Sequence, residues 1–222
     1  MPTSTIQALQ HFWRRLRSRS HVHYIESLSS SLADCPTVLD LGCGSRPFLG
    51  ECPNVERIIG IESWFESCQT ASHAHKYVGV AQAVLPSIPV SRRSVDAVVL
   101  LQVLEHLPRA EGSRLLEAAE QIARRRVVVT TPNGYVSQGG YEGNPYQQHL
   151  SSWSIDDFIS LGYQVFGLEG PKSLRRWESA QLARPAGLWQ IVVSLGVFES
   201  YLRSRPDAAF QLMAVKTVEP PA

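Results

Sequence analysis

The stretch Val38-Leu39-Asp40-Leu41-Gly42-Cys43-Gly44-Ser45-Arg46-Pro47 is the part of the chain best placed to bind a ligand. An apolar run leads straight into G-x-G, where side chains would obstruct both a tight turn and the close approach of a ligand to the backbone. A second apolar run ends in Ile59-Gly60-Ile61-Glu62. Glu62 thus follows the first run at close to the spacing of about 20 residues at which a strand-end carboxylate accepts from both hydroxyls of a ribose. Together the turn and the acid point to a nucleoside-containing ligand. A nicotinamide dinucleotide would call for a third glycine facing its pyrophosphate, but Pro47 stands there. Asp40, two residues before the first glycine, would repel a pyrophosphate and suits a ligand carrying an ammonium or sulfonium group. A nicotinamide dehydrogenase is therefore disfavoured. A catalytically silent scaffold that keeps the fold to bind a partner is the alternative to an enzyme.

These residues need a frame. From Pro36 onward, apolar β-rich runs alternate with helical stretches. The runs are Thr37–Leu41, Arg57–Glu62, Tyr77–Val80, Val95–Leu101, Arg126–Thr131, Gln164–Leu168 and Gln211–Lys216. Val95–Leu101 and Val127–Thr130 lack the alternation of a half-exposed strand and fit a parallel sheet covered on both faces. Helices are expected at Trp64–His75, Arg109–Arg124 and Ser154–Leu161; Ser154 supplies an N-cap, and Asp156 and Asp157 fill the first turn. The pattern predicts an α/β doubly wound, mostly parallel seven-stranded sheet with helices on both faces and the last strand antiparallel. Ligands in that fold sit at the carboxyl ends of the strands. Residues 1–34, with helical spacing through Leu9, Phe12, Leu16, Tyr24, Leu28 and Leu32, read as an N-terminal helical cap on a domain spanning 35–222.

With the frame in place, Asp40-Leu41-Gly42-Cys43-Gly44-x-x-Pro47, the acid Glu62 and the later Leu104-Glu105-His106-Leu107 resemble the class I S-adenosylmethionine-dependent methyltransferases, and Pro132-Asn133-Gly134 with His149-x-x-x-Trp153 resembles the matching region of bacterial methyltransferases of small molecules and glycans. The first resemblance runs from about Thr37 to Thr131. It implies S-adenosyl-L-methionine as cofactor, with Asp40, Gly42, Cys43 and Gly44 lining its methionyl and ribose part and Glu62 holding the ribose diol. Gln102, at the end of the fourth run, would lie near the methionine moiety. Members of the family often place an acid after the third strand for the adenine amino group. This chain has no Asp or Glu between Lys76 and Val95, which leaves Gln82, backbone groups or packing for that contact.

The acceptor side is expected in the loop at about 132–153, between the fifth run and the Ser154 helix. Its Tyr135, Tyr146 and Trp153 read as a substrate wall or lid. A hydroxyl acceptor needs a base near neutral pH, and His149 or His106 meets that need better than Glu105. Glu105 and His106 are adjacent and would diverge on a helix, so no metal site is expected.

Composition narrows the field further. The chain has 21 Lys+Arg against 20 Asp+Glu, so no strong nucleic-acid signal is present despite Arg14, Arg15, Arg17 and Arg19. Cys35, Cys43, Cys52 and Cys68 include no C-x-x-C pair that would suggest zinc. The N-terminus has its basic residues after a weakly apolar stretch, the reverse of a signal peptide, and no run is long enough to span a membrane. A cytoplasmic protein is the expectation. Residues 184–203 form an apolar segment read as a core helix, with a hydrophobic substrate wall or a homodimer face as the other readings.

Overall fold

The computed structural model describes residues 22–45, 47–140, 143–174 and 198–218. The arginines at 14–19 and the apolar stretch 184–197 lie outside these residues. Seven strands form one sheet: β1 Thr37–Leu41, β2 Arg57–Glu62, β3 Tyr77–Gln82, β4 Val95–Leu101, β5 Ala123–Pro132, β6 Gln164–Pro171 and β7 Ala209–Thr217. Their order is β3-β2-β1-β4-β5-β7-β6. The pairings from β3 through β5 are parallel, and β7 runs antiparallel to both its neighbours. The expected doubly wound architecture is therefore the observed one.

The continuous apolar runs follow from burial on both faces. One face gathers Leu39, Leu41, Val98, Leu100, Val127 and Val129 under Leu115, Leu116, Ala119 and Ile122 of the helix α3, Arg109–Ile122. The other face gathers Val38, Ala97, Val99 and Val128 with Leu28 and Leu32. Odd and even residues of each strand thus serve opposite cores, as a pleat with a two-residue period requires. Leu28 belongs to the helix α1, residues 22–31, which packs on the sheet and accepts from the Arg126 guanidinium at the Ser31 carbonyl oxygen (3.1 Å). Helix α2 is Phe65–Ala71 and helix α4 is Ile155–Ser160. Helix α4 starts as expected: the Ser154 hydroxyl accepts from the Asp157 N–H, and Asp157 Oδ2 accepts from the Ser154 N–H, a reciprocal cap.

The strand order reverses between β1 and β4, since the chain moves outward to β2 and β3 and then returns. The crevice beyond the carboxyl ends of these two strands is where such sheets bind ligands. Both the glycine turn and Gln102 lie there. Among the described residues no helix is long and apolar enough to cross a membrane.

Candidate functional site

Two glycines set the turn after β1, each with a positive φ, +72° at Gly42 and +62° at Gly44. Their tasks differ. Gly42 donates to the Ile61 carbonyl at 2.7 Å, and a Cβ there would stand 2.7 Å from Val103 Cγ2. Gly42 is thus required by packing. A Cβ on Gly44 would meet nothing within 4 Å, because that side faces the cleft. Glu62 fixes the turn from the neighbouring strand: its carboxylate accepts from the Gly44 N–H and from the Trp64 N–H, each at 2.8 Å. Two lone-pair positions remain on that carboxylate.

Asp40 is 2 % exposed. One of its oxygens accepts from the Tyr77 hydroxyl, while the other, Oδ1, is buried without a hydrogen-bond partner. Burial pushes this carboxyl up to about 7, against the Tyr77 hydrogen bond and with help from the Glu62 charge. A buried acceptor left unpaired costs about 1–3 kcal/mol, and Asp40 lines the cleft. The orphaned oxygen therefore suits a cationic donor.

The cleft has a volume of about 770 Å³ and runs from the glycine turn to the loop after β5. This size is that of a small-molecule site. Asp40, Gly42, Cys43, Gly44 and Gln102 line it; Gln82 lies away from it, and Glu62 stands directly behind its wall, bonded to the lining residues Gly44 and Trp64. Gln82 is exposed and donates to the Ser63 carbonyl at 3.1 Å. Four aromatic side chains that the sequence motifs do not mark line the cleft: Tyr24, Phe48, Trp64 and Phe210. Tyr24 comes from α1, hydrogen-bonds Thr130 Oγ1 at 2.9 Å, and meets Phe48 edge-on at 6.3 Å. No local spacing links Tyr24 to Thr130, 106 residues away, so only the fold brings them together.

Toward the loop end of the cleft, Gln102 directly follows β4 with φ +57°, a strained conformation for a residue with a side chain. With its amide oriented to satisfy its neighbours, Gln102 donates to Glu105 Oε1 and accepts from the Thr131 N–H, both at 3.2 Å. Glu105 is 2 % exposed, and its Oε2 accepts from the Thr131 hydroxyl at 3.0 Å. Burial pushes the Glu105 carboxyl up to about 7.

The structure corrects the expectation that Glu105 and His106 diverge. They lie in a short 3-10 turn, Leu104–His106, and a loop segment closes over it. The N–H groups of Leu150 and Ser151 both donate to the Glu105 carbonyl (2.7 and 3.1 Å), and the Ser151 hydroxyl donates to the Leu104 carbonyl. This clasp brings His149 edge-on to His106, with ring centroids 4.8 Å apart. Both histidines line the cleft. Burial holds the His106 imidazolium down to about 4, with the neighbouring His149 contributing, and lowers His149 as well. Both rings are neutral at pH 7.

The aromatic wall expected from the loop is not what lines the cleft. Tyr135 and Tyr146 are 50 % and 42 % exposed and lie off the cleft wall. Trp153 belongs to the core instead: it stacks on Phe158 at 5.6 Å and lies under the Arg109 guanidinium. Gly112 makes room for it, since a Cβ there would sit 2.6 Å from Trp153 Cζ2. The loop's contribution to the cleft is Val136, Gln138, Asn144, Gln147 and His149.

Residues 39–136, from β1 to just past β5, match the methyltransferase domain family. Over these residues the chain carries a methyltransferase domain. No curated protein matches the sequence. Among solved structures, the methyltransferase domain is similar in fold to that of bacterial CtHen1 (16% identity, TM-score 0.54, covering 90% of this chain and 100% of that one). It is also similar to an S-adenosylmethionine-dependent methyltransferase from Archaeoglobus fulgidus (15%, TM-score 0.51, 87% and 94%). A third is magnesium protoporphyrin IX methyltransferase from Synechocystis PCC 6803 with bound S-adenosylmethionine (16%, TM-score 0.50, 89% and 80%). The orphaned Asp40 oxygen and the open side of Gly44 in the methyltransferase domain fit that cofactor.

Proposed function

We propose that this enzyme transfers the methyl group to a hydroxyl or amine of a small molecule or a glycan. The observation that carries this reading is the single cleft shared by the glycine turn and the His106–His149 pair. Bound S-adenosylmethionine supplies a methyl group already activated on a sulfonium, so alignment in a dry site can provide much of the acceleration. With the cofactor bound, Asp40 Oδ1 would accept from its ammonium group, Glu62 would take the ribose diol on its remaining lone pairs, and Trp64 would pack against the adenine in place of an acid. Gln102 holds the methionine end beside the acceptor. An amine acceptor that is already unprotonated needs no base. For a hydroxyl, the neutral imidazoles take up the proton when no cation occupies them; His149 is assigned this role because it comes from the acceptor-side loop. The polar loop residues Gln138, Asn144 and Gln147 then face the acceptor, which supports a hydroxyl-rich or amine-bearing molecule over an apolar one. The direct test is incubation with isotopically labelled methyl donor and fractionated cell extract, followed by mass identification of the labelled product. Label found only on lipid or on nucleic acid would reject the proposal.

Glu62→Ala is expected to raise the cofactor dissociation constant roughly 10- to 100-fold, because hydrogen bonds to a charged acceptor contribute about 1.5–3 kcal/mol. Calorimetric titration and a thermal melt check this together. An unchanged affinity in a folded variant would show that Glu62 only braces Gly44 and Trp64.

Asp40 gives a pH dependence with a definite sign. Its free carboxyl titrates at about 7, and a cationic ligand binds the carboxylate, so below pH 7 binding must expel a proton. Cofactor affinity should therefore fall as pH drops, by roughly tenfold per unit well below the midpoint. Asp40→Asn should weaken binding at pH 8 and flatten this slope. A flat affinity from pH 5 to pH 8 in the parent protein would remove Asp40 from the cofactor site.

A further inference from the structure

We infer that Glu105, His106 and His149 form a binding site for a divalent first-row transition cation at the acceptor end of the cleft. One carboxylate oxygen of Glu105 and one ring nitrogen from each histidine all lie within 4.8 Å of one another. Ligand atoms 2.0–2.2 Å from such an ion stand about 3–3.5 Å apart, so small side-chain rotations close the set. Two imidazoles and a carboxylate with further positions open is a donor set that suits zinc, manganese, iron or cobalt.

Three independent features of the surroundings support this assignment. The first is the tautomer. His106 Nδ1 lies 3.1 Å from the Gln148 carbonyl and His149 Nδ1 lies 2.6 Å from the Val136 carbonyl. A ring nitrogen facing a carbonyl carries the proton, which puts the lone pair of each neutral ring on Nε2. An N–H to backbone carbonyl contact of this kind orients most metal-bound histidines. The second is charge. Glu105 is buried, and among the described residues no lysine or arginine pairs with it. A buried carboxylate is costly unless paired or bound to a metal. The third is the support around the carboxylate, where the Thr131 hydroxyl and the Gln102 amide each donate to one oxygen. Each oxygen keeps a second lone pair for an ion. The clasp of Leu150 and Ser151 onto Glu105 holds the third ligand against the first two. All three residues line the cleft, so an ion held by them would be open to oxygen atoms of an acceptor there.

The site stands on these residues whatever the methyl acceptor is, and its test does not use turnover. The full-length chain is stripped with a chelator, dialysed, and titrated with Co²⁺ while the visible d–d absorption is followed, with Zn²⁺ as competitor. One equivalent of Co²⁺ should bind, be displaced by Zn²⁺, and weaken at least ~100-fold in His149→Ala and in His106→Asn, since even outer contacts to a metal site are worth 10–100-fold. His73→Ala, at an exposed position outside the cluster, should leave the titration unchanged. Thermal melting monitors folding, and either of the two cluster variants alone suffices for the comparison. No saturable equivalent in the parent protein overturns the inference, as does an equivalent that survives in a folded cluster variant. Loss of binding in His73→Ala would overturn it too, by placing the ion on the surface.

Discussion

Gly44→Val is expected to abolish measurable S-adenosylmethionine binding while leaving the protein folded. The residue sits at φ +62°, where a side chain costs roughly 1–2 kcal/mol and a β-branched one is an outlier. Nothing in the protein blocks a Cβ there, so the valine methyls would occupy the cleft rather than the core. The Gly44 N–H also binds Glu62 Oε2, and any shift of the turn would re-aim the carboxylate proposed to hold the ribose. Backbone strain, lost volume and a displaced Glu62 add to an expected loss of at least ~100-fold in affinity, or more than about 2.7 kcal/mol. Gly42→Ala provides the contrast. Its Cβ would press on Val103 from 2.7 Å, so that variant should lose melting temperature first. Calorimetry and thermal melts on both variants separate the two roles. Tight binding by folded Gly44→Val would mean that the turn serves folding alone.

The difference between these two glycines illustrates what a sequence can carry. Asp40-x-Gly42-x-Gly44 and Glu62 are legible because each requirement is local: a positive φ, a close approach, a strand end. The inner strands are legible for a similar reason, since burial on both faces writes itself into continuous apolar runs such as Val95–Leu101. The helices after them end earlier than their periodicity suggests, α2 at Ala71 and not His75, because polar residues past the last packed position gain nothing from the sheet. The acceptor side was less legible. Tyr135, Tyr146 and Trp153 look alike in composition, yet two face solvent and the third fills the space left by Gly112. That outcome depends on a contact between α3 and a loop some 40 residues on. The same holds for Tyr24 over Thr130. Helical geometry would send Glu105 and His106 apart, whereas a 3-10 turn clasped by Leu150 and Ser151 turns both toward His149. Adjacent residues can converge when a third segment supplies the missing partner.

His149→Ala should reduce turnover on a hydroxyl acceptor by about 10²–10⁴-fold, the contribution of a positioned base, with proximity sustaining a residual rate. His106→Asn should lose less if His106 only supports its neighbour. The Nε2 lone pair of His149 can serve as base or as metal ligand, but not both at once, and the two uses respond oppositely to a chelator. If the ring acts as the base, turnover of the parent protein survives exhaustive chelation, and added Zn²⁺ inhibits by occupying the lone pair. If the ring holds an ion that carries the acceptor oxygen, chelation removes turnover and a divalent ion restores it, and both histidine variants then lose activity together because the ion leaves with either ligand. Cofactor affinity measured in parallel should stay within a few-fold in every case, since the cofactor contacts proposed above run through Asp40, Gly44 and Glu62 at the other end of the cleft. Full turnover in both variants would exclude both uses. Catalysis would then rest on alignment by Gln102 and the polar loop residues, which is sufficient for an amine acceptor that arrives already unprotonated.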